Sequence, residues 1–543
     1  MKRTSALVGF GAALILFASC SSKNNALPIP KDAMMVVEVN TASLKSKLTW
    51  EEIRKSAWFE EVSKEANDST AQKLLQDPAT SGVDTDGNLA FFMQKQGSAN
   101  LGVFEGFLKD ADAFAKFAGK DAPVKKDGDL SYLDKSGEGF VAWTGKQFIC
   151  LMEMPNTNPM NPTAAPAPKD SLRKWAQAIL ATKGSDGLAE DKRYADLQKE
   201  EGDVHFWMNS GSFYNNLGGG MMSMLKVGSL MNGNVSTYSL SFVEGKIAVK
   251  MKQYYGKELT ELMNKYKPKE VTEALVNRIP SNDVVAAFAM NWSPEAMTEI
   301  IKMAGIDGMA NAFLGRYNLS LQEIVGAFKG EMLFAVSDFK MEQKPLFEGS
   351  TYMTTKPDAK MLFAASVTNK TAFEKLIGAV EKEMPAAAAT QVSFQVNNEW
   401  FAVGSAKEHV DAFLAGGTHK VAFADKIKGH PFGLYIDLQK IMKVSKGATT
   451  ESPNAAAMMD ASLAVWQDVL MIGGEYKDGV LTATAEVNLV DKKGNALKQM
   501  NAYLTKLHSL KPKRNPAQDM MEQGDVAMPP MEGMDSVAAP VQE

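Results

Sequence analysis

Cys20 is the residue of this chain whose neighbours most clearly predict a chemical modification. Two basic residues follow Met1, an apolar run extends from Ala6 to Ala18, and Ser19 precedes the cysteine. A charged start, a short apolar segment and a small-residue cleavage site define a secretory signal. A cysteine thiolate is a good nucleophile, so the Cys20 thiol can be alkylated by a glyceride before cleavage. The pattern predicts a bacterial lipoprotein signal over residues 1–19, a lipid on Cys20 and a linker over residues 20–28.

The apolar run before Cys20 is too short for a membrane-spanning helix. It contains 13 residues, whereas a helix needs about 20 to cross the hydrocarbon. Phe17 stands where lipoprotein signals prefer leucine, three residues before the cysteine. A plain signal peptide with a cysteine near its cleavage site therefore stays open as an alternative.

The segment from Asp84 to Asn88 resembles the beginning of a calcium-binding loop. An EF-hand loop needs glycine at position 6 and glutamate at position 12. Here Gly87 comes at position 4 and Lys95 at position 12. We expect an Asp-Gly turn that leads into a strand, and no metal site.

The histidines and cysteines do not form a catalytic or metal-binding motif. No two histidines have the i, i+4 spacing of a helical metal site, and the His-Glu-x-x-His motif does not occur. We expect His205 to face solvent or to be capped by a neighbour, and Cys150 to be a small buried hydrophobe. The five histidines are His205, His409, His419, His430 and His508.

Nucleophile and phosphate-binding motifs are also missing. The Gly-x-Ser-x-Gly elbow, the Walker loop and the dinucleotide glycine pattern do not occur. Gly218–Gly220 has no strand directly before it, so we expect a flexible loop. The sequence therefore predicts no catalytic residue, no metal ligand and no cofactor.

Methionine is abundant, with 33 residues in the chain. Two clusters stand out, one over residues 221–231 and one within residues 511–543. Methionine mainly fills cores and spacers, but it also forms adaptable binding surfaces and is a soft ligand for Cu(I). We keep all three interpretations open.

The overall charge excludes some partners. Lysine and arginine number 59 and aspartate and glutamate 64, so the chain without residues 1–19 carries 57 − 64 = −7 charges. A mildly acidic body without a basic stripe argues against nucleic acid. It also argues against electrostatic binding to anionic lipid.

The elements that would position any site occur twice along the chain. Residues 29–48 and 279–304 both begin with Ile-Pro, continue into an apolar strand that ends at an asparagine, and then form a helix. The later strands and helices follow in the same order. We predict two homologous α+β halves, 29–268 and 279–510, each with largely antiparallel sheets and flanking helices.

Polar residues that end four of the strands are expected to cap the helices that follow them. These residues are Asn40, Asn209, Asn291 and Asp437. We expect exposed loops at residues 155–168, 341–358 and 445–456, and a disordered Met- and Pro-rich tail over 511–543.

Two short runs resemble a known family. The run Ile29–Ala33 follows the predicted lipidated cysteine and leads into the strand Met34–Val39, and Ser81–Asp84 precedes the strand Leu89–Met93. These runs are similar to a family of lipoproteins from the Bacteroidota, known as domain of unknown function 4836. The resemblance implies the fold and an envelope location, and it assigns no catalytic residues.

These observations favour a cell-envelope lipoprotein with a non-enzymatic binding or structural role. Ser21 after the cysteine favours the outer membrane, and the lack of an acidic run before Asp32 favours the periplasmic side, with exposure on the cell surface left open. We expect a protein, peptide or glycan partner or a structural role, and a cleft between the halves is the first place to look for a binding site. The alternatives are an envelope hydrolase with an unrecognised carboxylate pair and a protein that handles copper.

Overall fold

The computed structural model describes residues 26–511 except 66–71, 73–74, 98, 121, 136–138, 155–168, 218–226, 348–349, 386–390, 418 and 448–452. The predicted signal peptide, Cys20, the loop 155–168 and the tail beyond Lys511 lie outside the described residues. Most of the methionine cluster at 221–231 also lies outside them.

The strands of the described residues form one sheet of eighteen strands. Their bounds are β1 Met35–Val39, β2 Leu89–Gln96, β3 Ala99–Phe107, β4 Lys125–Asp127, β5 Leu130–Lys135, β6 Gly139–Trp143, β7 Gln147–Met154, β8 Val204–Asn209, β9 Val235–Val243, β10 Lys246–Tyr254, β11 Val284–Asn291, β12 Phe328–Pro345, β13 Met353–Val367, β14 Ser393–Val396, β15 Trp400–Gly404, β16 Phe432–Asp437, β17 Trp466–Lys477 and β18 Val480–Leu489.

Helices flank this sheet along the described chain. The α-helices are Thr41–Lys47, Trp50–Arg54, Ala57–Glu65, Ala111–Ala118, Lys169–Leu180, Lys192–Lys199, Ser210–Leu217, Val227–Met231, Lys257–Lys265, Glu273–Val276, Pro294–Met303, Asp307–Gly315, Leu321–Ala327, Lys370–Glu383, Lys407–Leu414, Ala424–Ile427, Leu438–Lys446, Pro453–Leu463 and Ala496–Leu510. Short 3-10 turns cover Pro78–Ser81, Gly184–Asp186 and Leu188–Glu190.

All strand pairings in the sheet are antiparallel. The spatial order is β4-β5-β6-β7-β3-β2-β1-β8-β9-β10-β18-β17-β16-β11-β12-β13-β15-β14. The predicted α+β class with antiparallel strands and flanking helices is confirmed.

The strand order of residues 29–268, called the first half below, recurs in residues 279–510, the second half. The order β7-β3-β2-β1-β8-β9-β10 matches β15-β13-β12-β11-β16-β17-β18. The last strands of the two series, β10 and β18, pair with each other. The halves therefore share one continuous sheet, and their common origin stays a prediction.

One row of directly opposed residues crosses the centre of the sheet and lies on a single face, because paired residues point to the same side. In spatial order the row is Ile149, Glu105, Ala90, Glu38, His205, Ser239, Lys250, Thr484, Ile472, Gly433, Ala289, Leu333, Ala364 and Ala402. This row provides a common register for comparing the two halves.

The face that carries the row is covered by helices at both ends of the sheet. Lys169–Leu180 and Lys192–Lys199 contribute Ala176, Ile179 and Tyr194 to the core of the first half. In the second half, Lys407–Leu414 and Ala424–Ile427 contribute to the equivalent core.

The opposite face is covered as well. Ala57–Glu65 and Ala111–Ala118 pack there against the first half, and Lys370–Glu383 packs against the second half. Each end of the molecule thus has helices on both sides of the sheet.

The predicted helix caps are confirmed at three of four positions. Asn40, Asn209 and Asp437 each accept a hydrogen bond from a backbone N–H three residues later. The prediction for Asn291 is wrong, since its side chain donates to the carbonyl of Glu270. Ser293 caps the following helix instead.

The loop predicted at residues 341–358 is largely wrong. Strands β12 and β13 continue through Pro345 and from Met353, and they pair with each other as a ribbon. Of the segment 445–456, the described residues end one helix at Lys446 and begin the next at Pro453.

Among the described helices, none combines the length and the apolar character that crossing a membrane requires.

Candidate functional site

The first half buries two glutamates on the row face. Glu38 of β1 and Glu105 of β3 both lie opposite Ala90 of β2, one on each side. The small alanine between them leaves room for both longer side chains. The helix Lys192–Lys199 covers the pair through Tyr194 and Gln198.

Glu38 is fully engaged in hydrogen bonds. One carboxylate oxygen accepts from the Asn88 side-chain amide at 2.6 Å. The other accepts from the Tyr194 hydroxyl and from the Gln198 amide, both at 2.7 Å. This set of neutral donors stabilises a buried carboxylate, as a charged acceptor requires.

Glu105 lacks such partners. It is 1% exposed, and neither carboxylate oxygen has a hydrogen-bond partner within the described part of the chain. Burial, with added repulsion from Glu38, raises the pKa of the Glu105 carboxyl well above its ordinary value of 4.5. A neutral, protonated side chain is the form that this environment favours.

The buried polar cluster, meaning Glu38, Glu105 and their neighbour His205, has no counterpart in the second half. At the matching positions of the row stand Ala289, Ala364 and Gly433. The two halves share a backbone register, but at these three positions the first half has ionisable side chains and the second half does not. The cluster is therefore a property of specific residues and not of the repeated fold.

A substrate has no direct access to this carboxylate pair. Glu38 is 7% exposed, and the covering Tyr194 is 4% exposed. Burial and the neighbouring Glu38 also raise the pKa of the Tyr194 hydroxyl well above its ordinary value of 10.0. The arrangement can hold a proton inside the core, but acid–base catalysis on a bound molecule would require helix Lys192–Lys199 to move.

Sequence reasoning missed this cluster. A signal existed, because Glu38 and Glu105 are the charged residues of two mainly apolar strands, Met35–Val39 and Ala99–Phe107. A charged residue inside such a run is rarely buried without a partner.

Of the two alternatives predicted for His205, exposure to solvent is wrong. The residue is 8% exposed, and its Nε2 atom lacks a partner among the described residues. Two of the other histidines contact carboxylates, His409 at 3.3 Å from Asp338 and His508 at 2.7 Å from Glu61.

The turn predicted at Asp84–Asn88 is confirmed. Asp84 accepts hydrogen bonds from the backbone N–H groups of Asp86 and Gly87, and Lys45 contacts Asp86 at 3.4 Å. Within the described ranges, no group of three histidine, cysteine, aspartate or glutamate residues could hold a metal ion.

Cys150 is a buried hydrophobe, as predicted. It is 2% exposed in strand β7, and burial raises the pKa of its thiol to about 12. Because the thiolate is the reactive form, this thiol is poorly suited to nucleophilic chemistry.

Two surface grooves formed by described residues are lined by the second half. One, of about 260 Å³, lies between Asp307–Gly315 and Lys370–Glu383, with Phe313, Tyr317 and Val380 among its lining residues. The other, of about 560 Å³, lies between Pro453–Leu463 and Ala496–Leu510. The predicted cleft between the halves coincides with neither groove.

Exposed apolar residues concentrate in one region of the chain. Of fourteen large exposed apolar residues in the described ranges, nine fall between positions 309 and 380. Five of them lie on two helices and on strands β12 and β13, and two of these five, Phe313 and Val380, line the first groove. The other four lie at the end of the β12–β13 ribbon. We call the first five the apolar side: Met309, Phe313, Phe334, Met361 and Val380.

Comparison with known proteins identifies the family but no characterised relative. A family model described as a domain of unknown function (DUF4836) matches residues 25–402. No curated protein and no solved structure matches the chain. The match covers more than two thirds of the chain, and so the chain belongs to the DUF4836 family.

Proposed function

We propose that this protein is a lipid-anchored protein of the bacterial envelope with a non-enzymatic binding or structural role. In this proposal Cys20 carries the lipid, the outer membrane holds the anchor, and the folded body faces the periplasm. The observation that carries the binding role is the concentration of exposed apolar residues on the apolar side. Two of these residues, Phe313 and Val380, line one groove, and an exposed apolar groove typically marks an interaction site.

The groove beside the apolar side supports an apolar protein or peptide segment as the partner. Two aromatic rings, Phe313 and Tyr317, line it together with aliphatic residues such as Leu376 and Val380. Glu383 is the one charged residue in the lining. A glycan would need more polar groups to orient it, so a peptide partner fits this lining better.

The burial of the carboxylate pair weighs against the hydrolase alternative. Such an enzyme needs a general acid or base within reach of its substrate, whereas Glu38 and Glu105 lie beneath Tyr194. The copper alternative rests on the methionine clusters at residues 221–231 and 511–543, most of which lie outside the described part of the chain.

Site-specific photo-crosslinking in native cells tests the binding role. A photoreactive residue is placed at Phe313, and a matched control is placed at Glu381, which is exposed on the charged side of helix Lys370–Glu383. The proposal predicts a crosslinked product of discrete mass at position 313 and none at position 381. Equal or absent crosslinking at both positions would contradict it.

A further inference from the structure

The larger of the two grooves, called the helix-pair groove, lies between the last two helices of the described chain. Pro453–Leu463 forms one wall and Ala496–Leu510 the other, and the groove has a volume of about 560 Å³. This volume falls within the roughly 300–1,000 Å³ of typical ligand pockets. The lining is mostly apolar with three polar residues, and it consists of Ala457, Ala461, Ala464, Ala502, Val465, Tyr503, Asp460, Gln499 and Lys506.

The helix Ala496–Leu510 makes contacts on two sides. On one side, the Asn501 side chain accepts a hydrogen bond from Nε1 of Trp58 in the first half at 2.9 Å. The side that lines the groove has residues spaced at i, i+3, i+4 and i+7, which lie on one helix face. These residues are Gln499, Ala502, Tyr503 and Lys506. The groove therefore runs along this helix toward the point where the helix ends.

The groove is open at its surface and is shaped by contacts between its own walls. Ala464 on one wall and Ala502 on the other are exposed. The Tyr503 hydroxyl shares a hydrogen bond of 2.8 Å with the Ser462 hydroxyl, and its ring packs edge-on against Trp466. An occupant would thus enter a preformed groove, which lowers the cost of binding.

Lys506 is the charged group of the groove that is available to an occupant. Asp460 on the facing wall forms an ion pair with Lys446. Lys506 is exposed and forms no ion pair with a residue in the described ranges. An occupant that combines apolar side chains with a negative charge would complement both the lining and Lys506.

The C-terminal segment, residues 512–543, has this combination in its sequence, although it lies outside the described residues. Residues 515–543 contain five methionines and six acidic residues, and no lysine or arginine. The first of the acids is Asp519, and Met520 and Met521 follow it directly. Methionine side chains are unbranched and adapt to irregular apolar gaps.

This part of the C-terminal segment is within reach of the groove. Lys506 precedes Lys511 by five residues, which is about 7.5 Å along a helix. The eight residues from Lys511 to Asp519 extend up to about 26 Å at about 3.3 Å per residue, and Asn515-Pro516 between them favours a turn. A short connection also gives a tethered segment a high effective concentration at a nearby site. The chain's own segment therefore has an advantage over a free partner of the same chemistry.

We propose that Asp519–Met521 occupies the helix-pair groove of the same chain. The Asp519 carboxylate lies beside the Lys506 ammonium, and the two methionine side chains lie between the helices. The contact covers an apolar groove and holds the C-terminal segment against the folded body. It involves neither the lipid on Cys20 nor the apolar side, so it does not depend on the proposed function.

Photo-crosslinking in the purified full-length mature chain with Cys20→Ser tests this contact. A photoreactive residue replaces Ala502, which lines the groove, or Leu504, which is 42% exposed on the same helix but does not line it. Mass spectrometry of the digested products identifies the crosslinked peptide. A mixture of isotope-labelled and unlabelled chains distinguishes a crosslink within one chain from a crosslink to a second copy.

We expect position 502 to crosslink to the peptide that contains Asp519–Met521, within one chain, and position 504 to give no such product. Met520→Ser/Met521→Ser should lower the yield about tenfold, because it removes two apolar side chains from the groove. The matched control Met531→Ser/Met534→Ser should leave the yield unchanged.

A charge exchange tests the polar part of the contact. Lys506→Glu should lower the crosslinking yield at position 502, because it places two negative charges side by side, and Lys506→Glu/Asp519→Lys should restore it. Circular dichroism checks that each variant keeps the parental fold. The inference is overturned if positions 502 and 504 crosslink to the segment equally, or if both methionine variants lower the yield equally. It is also overturned if the products join labelled to unlabelled chains, which would assign the groove to a second copy.

Discussion

Glu38 and Glu105 differ in the hydrogen-bond donors that surround each carboxyl group. Glu38 has three neutral donors, while Glu105 has none in the described chain. A buried carboxyl without donors is stable only in its protonated form. Folding therefore couples to proton binding at Glu105.

The first prediction concerns the pH dependence of stability. The unfolded Glu105 carboxyl titrates near 4.5, whereas the folded one keeps its proton to a higher pH. At a pH between the unfolded and the folded pKa of Glu105, unfolding releases a proton. The free energy of unfolding therefore falls as pH rises, by up to about 1.4 kcal/mol per pH unit. We expect Glu105→Gln to melt at a higher temperature than the parent at pH 8 and at a similar temperature at pH 5.

The comparison is confined to pH 5–8 for a physical reason. Below that window, carboxylates with lowered pKa values lose stabilising contacts, such as Glu52, whose hydrogen bonds to Lys498 and Thr49 bring its pKa to about 2. The ionisable neighbours Glu38, Tyr194 and His205 are present in both proteins, so the difference isolates Glu105. The exposed control Glu381→Gln should show the parental pH dependence, and the same dependence in Glu105→Gln would refute the account.

The second prediction concerns thiol reactivity. With Cys20→Ser as background, Cys150 is the remaining cysteine, and its burial and raised pKa should prevent reaction with a maleimide at pH 8. Labelling should become complete only in denaturant. Thr484→Cys, at an exposed strand position, should label in the folded protein within minutes. Comparable labelling of both folded proteins would contradict the burial of Cys150.

At the scale of elements, the spacing of apolar residues allowed most strands and helices to be predicted from sequence. The pattern of Leu481–Val487 fits strand β18, and Asp110 caps the helix Ala111–Ala118. The ribbon was missed because Pro345, Pro357 and alternating charges resemble a loop. Its strands are stabilised by pairing with each other and by ion pairs between them, such as Lys344 with Asp358, which the pattern of either strand alone does not show.

The third prediction tests the helix caps. Asn40→Ala and Ser293→Ala should each lower the free energy of unfolding by about 1 kcal/mol, since each removes an acceptor for a helical N–H group. Asn291→Ala should lower the free energy of unfolding by only a few tenths of a kcal/mol, because that side chain forms an exposed hydrogen bond to Glu270 and caps no helix. Urea denaturation compares the three variants, and an equal cost for Asn291→Ala would show that the cap is misassigned.

At the scale of the whole molecule, a hairpin turn of each half forms a hydrogen bond to the opposite half. We call these two contacts the clasp. The N–H of Gly245, between β9 and β10, donates to Gly494 at 2.9 Å. The carbonyl of Gly479, between β17 and β18, accepts from Tyr255 at 2.8 Å. Each turn thus contacts the opposite half, which adds to the pairing of β10 with β18.

The fourth prediction tests this clasp. A Cβ atom at Gly245 would lie 2.6 Å from the Lys492 Cα atom, so Gly245→Val should force the turn away from the second half. Gly128→Val is the matched control, because Gly128 also has a positive φ but has no atom within 4 Å of the added Cβ. Gly245→Val should melt at a lower temperature than Gly128→Val and be cleaved faster near residues 489–495. Equal melting temperatures would indicate that the clasp does not stabilise the molecule.

The continuity of the sheet could not be predicted from sequence. The repeated order of elements indicated two similar halves, but it did not indicate which strands would meet. The pairing of Lys250 with Thr484 joins residues 234 positions apart, and no local pattern encodes such a contact. The same reason explains why the neighbours of Glu105 could not be anticipated, although the glutamate itself was visible in an apolar strand.

The most direct test of the central claim is mass spectrometry of the N-terminal fragment of the protein isolated from its native host. The account predicts a fragment that begins at Cys20 and carries the added mass of a diacylglyceryl group on sulfur. A fragment that begins at Met1, or one in which Cys20 bears a free thiol, would contradict the anchored location on which the proposed function depends.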